Sequence, residues 1–171
     1  IASILKKLST TIHTEIPEIK QFINPKNIPF SEIQINRIDI NRMFQLPNYN
    51  DVQNWIRSAI YTSHTRSGRP TLKHGTIYWN KNSRRWSFKA YSKLQEILET
   101  KQKLPQNQTT EKLLSFLNNL LRLELTLRQN ELRDINLKFA TDFTESKIND
   151  LYTDYLSRIN VTEKLHLTAT E

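Results

Sequence analysis

An α+β fold built on an antiparallel sheet is predicted by three features of the chain. Leu121 to Arg128 alternates leucine with polar residues without a break, the period of two that marks a half-buried strand. Two runs of β-branched and aromatic residues, Gly75 to Trp79 and Arg85 to Tyr91, flank the polar Asn80-Lys81-Asn82-Ser83-Arg84 as the arms of a hairpin flank its turn. Segments with helical spacing stand between and after these strands. The 171 residues suit one domain, and 37% hydrophobic against 25% charged residues is a globular balance.

Taken in order, Ala2 to His13 reads as a helix with Ile4, Leu5, Leu8 and Ile12 on one side, ending before Pro17. Pro25 and Pro29 mark a loop. Glu32 to Phe44 is the first strand, where Ile33 and Ile35, then Ile38 and Ile40, alternate with a phase slip near Asn36-Arg37 that reads as a bulge. Asn50 or Asp51 caps a helix that carries Val52, Trp55, Ile56, Ala59 and Ile60 and runs to about Ser63. Ser67-Gly68-Arg69-Pro70 is a loop. In the second hairpin arm Trp86, Phe88 and Ala90 share one face, and Ser87, Lys89 and Tyr91 the other. Leu94, Ile97 and Leu98 start a helix that Pro105-Gln106-Asn107-Gln108 breaks, and Glu111 to Leu120 forms another. The strand after it turns four leucines inward and Arg122, Glu124, Thr126 and Arg128 the opposite way. Glu145 to Arg158 is the last helix, with Ile148, Leu151, Tyr152 and Tyr155 in phase.

The order strand, helix, strand, strand, helices, strand is the βαββαβ plan of a ferredoxin-like split unit, with helices on one face and the other face free to carry a site. An extra C-terminal helix follows. The expected divisions are an N-terminal helix and loop (1–31), a core (32–128) and a C-terminal helical extension (129–171). Asp39, Tyr91 and Glu124 would all fall on polar faces of different strands.

Charge is distributed unevenly. Residues 52–95 hold nine Lys/Arg, all three tryptophans (Trp55, Trp79, Trp86) and no Asp or Glu, which leaves the rest of the chain at −1 of the overall +8. Base confined to one aromatic-rich stretch is the pattern of a surface that tracks phosphates and stacks bases, so nucleic-acid binding is expected. Arg66, Arg69, Lys73, Lys81, Arg84, Arg85, Lys89, Arg122 and Arg128 are the candidate backbone contacts. Trp55 is assigned to the core, and Trp79 and Trp86 to packing, with base stacking as the alternative.

Other chemistries are excluded. Without cysteine there are no disulfides or thiolate metal sites, so any metal is held by carboxylates or imidazoles. Gly68 and Gly75 are the only glycines, which removes glycine-rich phosphate loops. No apolar run approaches the ~20 residues of a membrane span, and Ile1-Ala2-Ser3-Ile4-Leu5-Lys6-Lys7 is too short for a signal peptide. A soluble, cytoplasmic protein without membrane partners is expected, and the absence of an initial Met suits a piece of a longer chain.

Carboxylates projecting from neighbouring strands can hold a hard divalent cation, Mg²⁺ or Mn²⁺, which polarises a phosphodiester. A nearby tyrosine, a weak nucleophile at its ordinary pKa of ~10, is favoured as phenolate by such a metal and by a cation such as Lys93. Plainer roles stand beside these. Asp39 can pair with Arg37 on the same strand face, Glu124 with Arg122, and Glu96 can serve the start of its helix.

Three blocks carry a resemblance: Arg37-Ile38-Asp39-Ile40-Asn41; Thr76-Ile77-Tyr78-Trp79 with Ser83-Arg84-Arg85-Trp86-Ser87-Phe88-Lys89-Ala90-Tyr91-Ser92-Lys93 and Glu96; and Arg122-Leu123-Glu124-Leu125-Thr126-Leu127-Arg128. In order and spacing they resemble the filamentous-phage gene-two type replication endonucleases and related plasmid proteins, and more distantly the staphylococcal-type plasmid rolling-circle initiators. The resemblance implies a metal-dependent, site-specific nickase that starts rolling-circle replication and rejoins the strand through a 5′-phosphotyrosine. It implies Tyr91 as nucleophile, Lys93 beside it, and Asp39, Glu124 and Glu96 as ligands of Mg²⁺ or Mn²⁺. Origin DNA, with a host helicase and polymerase, would be its partners in the bacterial cytoplasm. One departure is that the best-known HUH endonucleases carry a His-hydrophobic-His metal pair, whereas His13, His64, His74 and His166 are scattered here. A non-catalytic module that binds an origin or single strands is the alternative, and a hydrolytic nuclease using Asp39 and Glu124 with water is a third.

Overall fold

The computed structural model describes residues 29–99 and 111–161. The predicted helix at Ala2 to His13 and the break at Pro105 to Gln108 lie outside them. Five strands form one antiparallel sheet in the order β1-β5-β4-β3-β2, with β1 at Arg37–Gln45, β2 at Thr71–Lys73, β3 at Thr76–Trp79, β4 at Trp86–Ser92 and β5 at Leu120–Arg128. The described α-helices are α1 (Tyr49–Thr62), α2 (Lys93–Glu99), α3 (Glu111–Asn118), α4 (Gln129–Asp134) and α5 (Glu145–Arg158), with short 3-10 turns at Phe30–Glu32 and Ala140–Asp142.

The α+β class and the antiparallel sheet are as expected, and the sheet has an order of its own. β5 is an interior strand between β1 and β4, and its composition suits burial on both sides: Leu121, Leu123, Leu125 and Leu127 are fully buried, and Glu124 and Thr126 are buried as well. β1 lies at the edge, paired only with β5, and shows Arg37, Asp39, Asn41 and Gln45 to solvent. Charged and polar side chains at an edge discourage pairing with another chain.

The phase slip near Asn36-Arg37 is not a bulge. The register from Arg37↔Arg128 to Gln45↔Leu120 is continuous, and the chain before it leaves the sheet. Ile35 donates its amide to Lys138, Ala140 donates to Ile33, and Gln34 bridges Phe139. Ile33 and Ile35 alternate out of phase because they face a different partner.

The cap of α1 is Asn48, whose side chain accepts from the Asp51 amide at 3.0 Å, rather than Asn50 or Asp51. The β2–β3 hairpin, absent from the sequence reading, turns through His74 (φ 47°) and Gly75 (φ 67°). Two successive positive φ angles are what a type I′ hairpin turn requires.

One face of the sheet is covered by α1 and α5. Val52, Trp55, Ile56 and Ala59 from α1 and Leu151, Tyr152 and Tyr155 from α5 join Ile38, Ile40, Ile77, Trp79, Phe88 and Ala90, together with Leu121, Leu123, Leu125 and Leu127 of β5, in one core. Trp79 meets Phe88 edge-on, and Phe88 meets Tyr152 in the same way. Leu132 of α4 belongs to this core too, so the chain after Arg128 packs continuously with the sheet. A short helix was not foreseen there. α2 and α3 instead pack with Leu120, Ile97 and Leu117 in a small separate cluster. Leu120 shares the sheet parity of Arg122 and Glu124, so this pair of helices walls one end of the polar face.

Leu125→Ala, emptying space at the centre of the main core, is expected to cost about 3 kcal/mol in urea unfolding. Asn48→Ala, which removes only a helix cap, should cost about 1 kcal/mol.

Candidate functional site on the polar sheet face

Strand register decides what meets on the uncovered face. Asn41 stands opposite Glu124, Glu124 opposite Lys89, and Lys89 opposite Tyr78. The next row pairs Met43 with Arg122 and Arg122 with Tyr91. On the other side Asp39 lies opposite Thr126, and Thr126 opposite Ser87. The three strands therefore bring Asp39, Glu124 and Tyr91 onto one face, as their sequence parity predicts.

Tyr91 and Glu124 form the centre. Tyr91 is 4% exposed and Glu124 7%, and the phenol donates to Glu124 Oε2 at 3.2 Å. Lys89 Nζ reaches Glu124 Oε1 at 2.9 Å, and an Arg122 guanidinium nitrogen lies 3.7 Å from Oε2. Both cations also lie over the Tyr91 ring, at 5.1 and 6.0 Å from its centre. A buried carboxylate persists as an anion only when so paired. Burial, then the negative charge of Glu124, pushes the Tyr91 hydroxyl well above the ordinary tyrosine value, with Arg122 pulling the other way.

Glu96 enters from the first turn of α2. Burial works against its ionisation, but the hydrogen bond and charge of Lys93, the Tyr91 hydroxyl and the charge of Arg122 together hold it below the ordinary carboxylate range. Lys93 is thereby tied to Glu96 in an ion pair. Two carboxylates, Glu124 and Glu96, thus flank one phenol, each with its own lysine. A small pocket opens beside Tyr91, with Thr76, Tyr78 and Lys89 from the sheet and Gln95 and Glu96 from α2 in its lining. Gly75 stands at its rim with φ 67°, a backbone conformation that side chains rarely adopt; the Gln95 amide that a Cβ would meet at 2.6 Å is the end of a flexible side chain and can move aside.

Asp39 sits at the margin. Arg37 grips it at 3.0 Å, and the Thr126 hydroxyl donates to it at 2.6 Å. The plainer pairing with Arg37 is therefore present. Among the described residues no group of three or more acidic or histidine side chains is arranged to hold a metal. Glu124 and Glu96 supply two oxygen donors against the same phenol, which fits the one or two carboxylates that Mg²⁺ takes; Asp39 fits least well.

The candidate phosphate contacts separate into groups. Arg66, Arg69, Lys73, Lys81 and Arg84 are exposed and, among the described residues, have no acidic partner in an ion pair. Arg69, Lys73 and Lys81 line a groove over β2 and the β3–β4 turn. Arg128 donates to Ser87 on the sheet face. Lys89 and Arg122 serve Glu124. Arg85 is differently engaged: it reaches the buried Glu131 at 2.6 Å and Asp134 at 2.7 Å, anchoring α4. Sequence could not place Arg85, since its partners lie on a helix it did not reveal.

The tryptophans all pack. Trp55 and Trp79 are buried in the core, and Trp86 stacks edge-on against Tyr155 at 5.3 Å between ring centres. The aromatic rings on the open face are tyrosines, Tyr91 and Tyr78. Tyr78 was missed, although the parity of Thr76-Ile77-Tyr78-Trp79 separates it from its apolar neighbours.

Fold and geometry define an α+β domain with a candidate site on one face of an antiparallel sheet, around a buried tyrosine between two carboxylates. The chain belongs to the family described as the N-terminal part of the phage gene-two replication-associated protein, whose model matches residues 3–146. The gene-two replication-associated protein of Enterobacteria phage I2-2 is 41% identical over 142 residues. That match covers 82% of this chain and 41% of the relative, so the chain spans well under half of the relative's length. No solved structure matches. Among the described residues no helix is long and apolar enough to cross a membrane.

The raised tyrosine has a measurable consequence. Its folded value exceeds the unfolded ~10, so its contribution to stability is complete below about pH 10 and is lost as pH rises beyond that. Thermal midpoints should fall less steeply above about pH 10 in Tyr91→Phe than in the parent; equal slopes would contradict the assigned burial of the phenol.

Proposed function

We propose that this chain is the strand-cutting domain of a phage-type rolling-circle replication initiator, and that Tyr91 is its nucleophile. The observation that carries the proposal is the contact of one buried phenol with Glu124 and Glu96 beneath Lys89 and Arg122, in a chain of a replication-associated family.

In the reaction proposed, Tyr91 Oη attacks a phosphodiester phosphorus while its proton passes to the Glu124 carboxylate. The new bond is O–P to tyrosine, and the bond that breaks is P–O3′. The 3′-oxygen leaves with the electron pair and takes up a proton, giving a free 3′-hydroxyl and a 5′-phosphotyrosine. Rejoining is the reverse attack, so neither a nucleoside triphosphate nor hydrolytic water is consumed. Lys89 and Arg122 offer positive charge where the phosphoryl oxygens gather it. Lys93 holds Glu96 in its ionised form and stands ready for a phosphate oxygen. With both carboxylates ionised the phenol is hard to deprotonate, so the resting site keeps its nucleophile protonated.

A Mg²⁺ or Mn²⁺ held by Glu124 and Glu96, with Asp39 at the margin, would offset that negative charge and polarise the phosphate. Arg66, Arg69, Lys73, Lys81, Arg84 and Arg128 supply the path for the DNA backbone. Origin DNA is the proposed substrate, and a host helicase and polymerase would continue from the 3′-hydroxyl in the bacterial cytoplasm.

The test is incubation with Mn²⁺ and single-stranded oligonucleotides from the parent replicon, read on a denaturing gel. A protein–DNA adduct is expected in the parent and should vanish in Tyr91→Phe with binding retained. Cleavage without adduct would instead indicate a hydrolytic nuclease, and binding without cleavage a DNA-binding module. Glu124→Gln should slow adduct formation by about 100-fold or more, the scale of a lost general base.

A further inference from the structure

The basic groove and the Tyr91 pocket meet at one residue. Tyr78 lines both: the pocket with Lys89 and Tyr91, and the groove with Arg69, Lys73 and Lys81. Its neighbours in the strand, Ile77 and Trp79, are fully buried on the covered face, which turns Tyr78 onto the open one. Tyr78 is half-buried, and its backbone is fixed within β3 by pairing to Lys89 on one side and Thr71 on the other. Lys81 stands over it with its ammonium 4.6 Å from the ring centre.

We infer that Tyr78 is a nucleobase-stacking platform that seats a single DNA strand beside the cutting site, an assignment that rests on the function proposed above. An aromatic ring set on a strand between a basic groove and the proposed nucleophile has the components of a single-strand site: cations for the backbone and a flat face for a base. Lys81 couples the two. An ammonium resting on a ring is drawn to a phosphate when a strand enters, and the face it leaves is open to the adjoining base. Stacking accepts any base, so Tyr78 contributes grip and placement of the strand; sequence choice lies elsewhere. The tryptophans cannot take this part, because Trp55 and Trp79 lie in the main core and Trp86 packs against it.

The experiment compares two probes of equal charge, an oligothymidylate 12-mer and a 12-mer of abasic sugar-phosphate units, by fluorescence anisotropy in EDTA. EDTA withholds the metal that the proposed reaction uses, and the readout is binding alone, so the result is independent of whether Tyr91 is a nucleophile. The parent should prefer the thymidylate by about tenfold or more. Tyr78→Leu should lose most of that preference while the abasic probe binds as before, and Tyr78→Phe should keep it. Lys81→Ala and Arg69→Ala should weaken both probes and lessen the salt dependence. An unchanged preference in Tyr78→Leu, or equal binding of the two probes by the parent, would overturn the stacking role. Failure of the cutting reaction with this preference intact would overturn the nickase and leave the strand-binding site standing.

Discussion

The Glu124 carboxylate is the constraint around which the polar face is organised. It lies 7% exposed on an interior strand of the sheet, where an unpaired charge would cost several kcal/mol. Three neighbours answer it: Lys89 from β4, Arg122 from its own strand, and the Tyr91 hydroxyl. Each is positioned by strand register rather than by a flexible loop. Such a site is held in place by the same hydrogen-bonded ladder that forms the sheet, and its geometry is as rigid as the fold.

The two faces of β5 divide the labour of the molecule. Its leucines join α1 and α5 in the main core, while Arg122, Glu124, Thr126 and Arg128 line the site. α2 and α3 add a wall at one end, bringing Glu96 and Lys93 to Tyr91. Burial and two nearby carboxylates keep the phenol protonated at rest. In the function proposed above, a nucleophile so masked would react only once a cation offsets the neighbouring carboxylates.

Much of this was legible because strands announce themselves by parity. Leu121 to Arg128 named its own buried and open faces, and so did Trp86 to Tyr91, so the co-location of Glu124 and Tyr91 followed once the sheet was inferred. What parity cannot supply is the partner. Ile33 and Ile35 looked like part of β1 because they alternate, yet they pair with residues near Phe139. Arg85 looked like a phosphate contact because the basic stretch contains no acids, yet its acids come from α4, well beyond that stretch. Trp55, Trp79 and Trp86 pack as assigned, because their size suits the core, so the alternative of base stacking by tryptophan falls away and smaller tyrosines occupy the open face. Short elements such as β2 and α4 carry too few residues for a periodic signal, and the pairing that stabilises them is tertiary.

The most direct measurement is the chemical identity of the residue that carries DNA after reaction with Mn²⁺ and an oligonucleotide that is cut. Trypsin cleaves after Lys89 and Lys93, which isolates Ala90-Tyr91-Ser92-Lys93 as a peptide holding a single tyrosine. Mass spectrometry should find that peptide bearing a nucleotide through a phosphotyrosyl bond. Nucleotide on another tyrosine, or cleaved DNA with this peptide unmodified, would contradict the assignment of Tyr91 as the nucleophile.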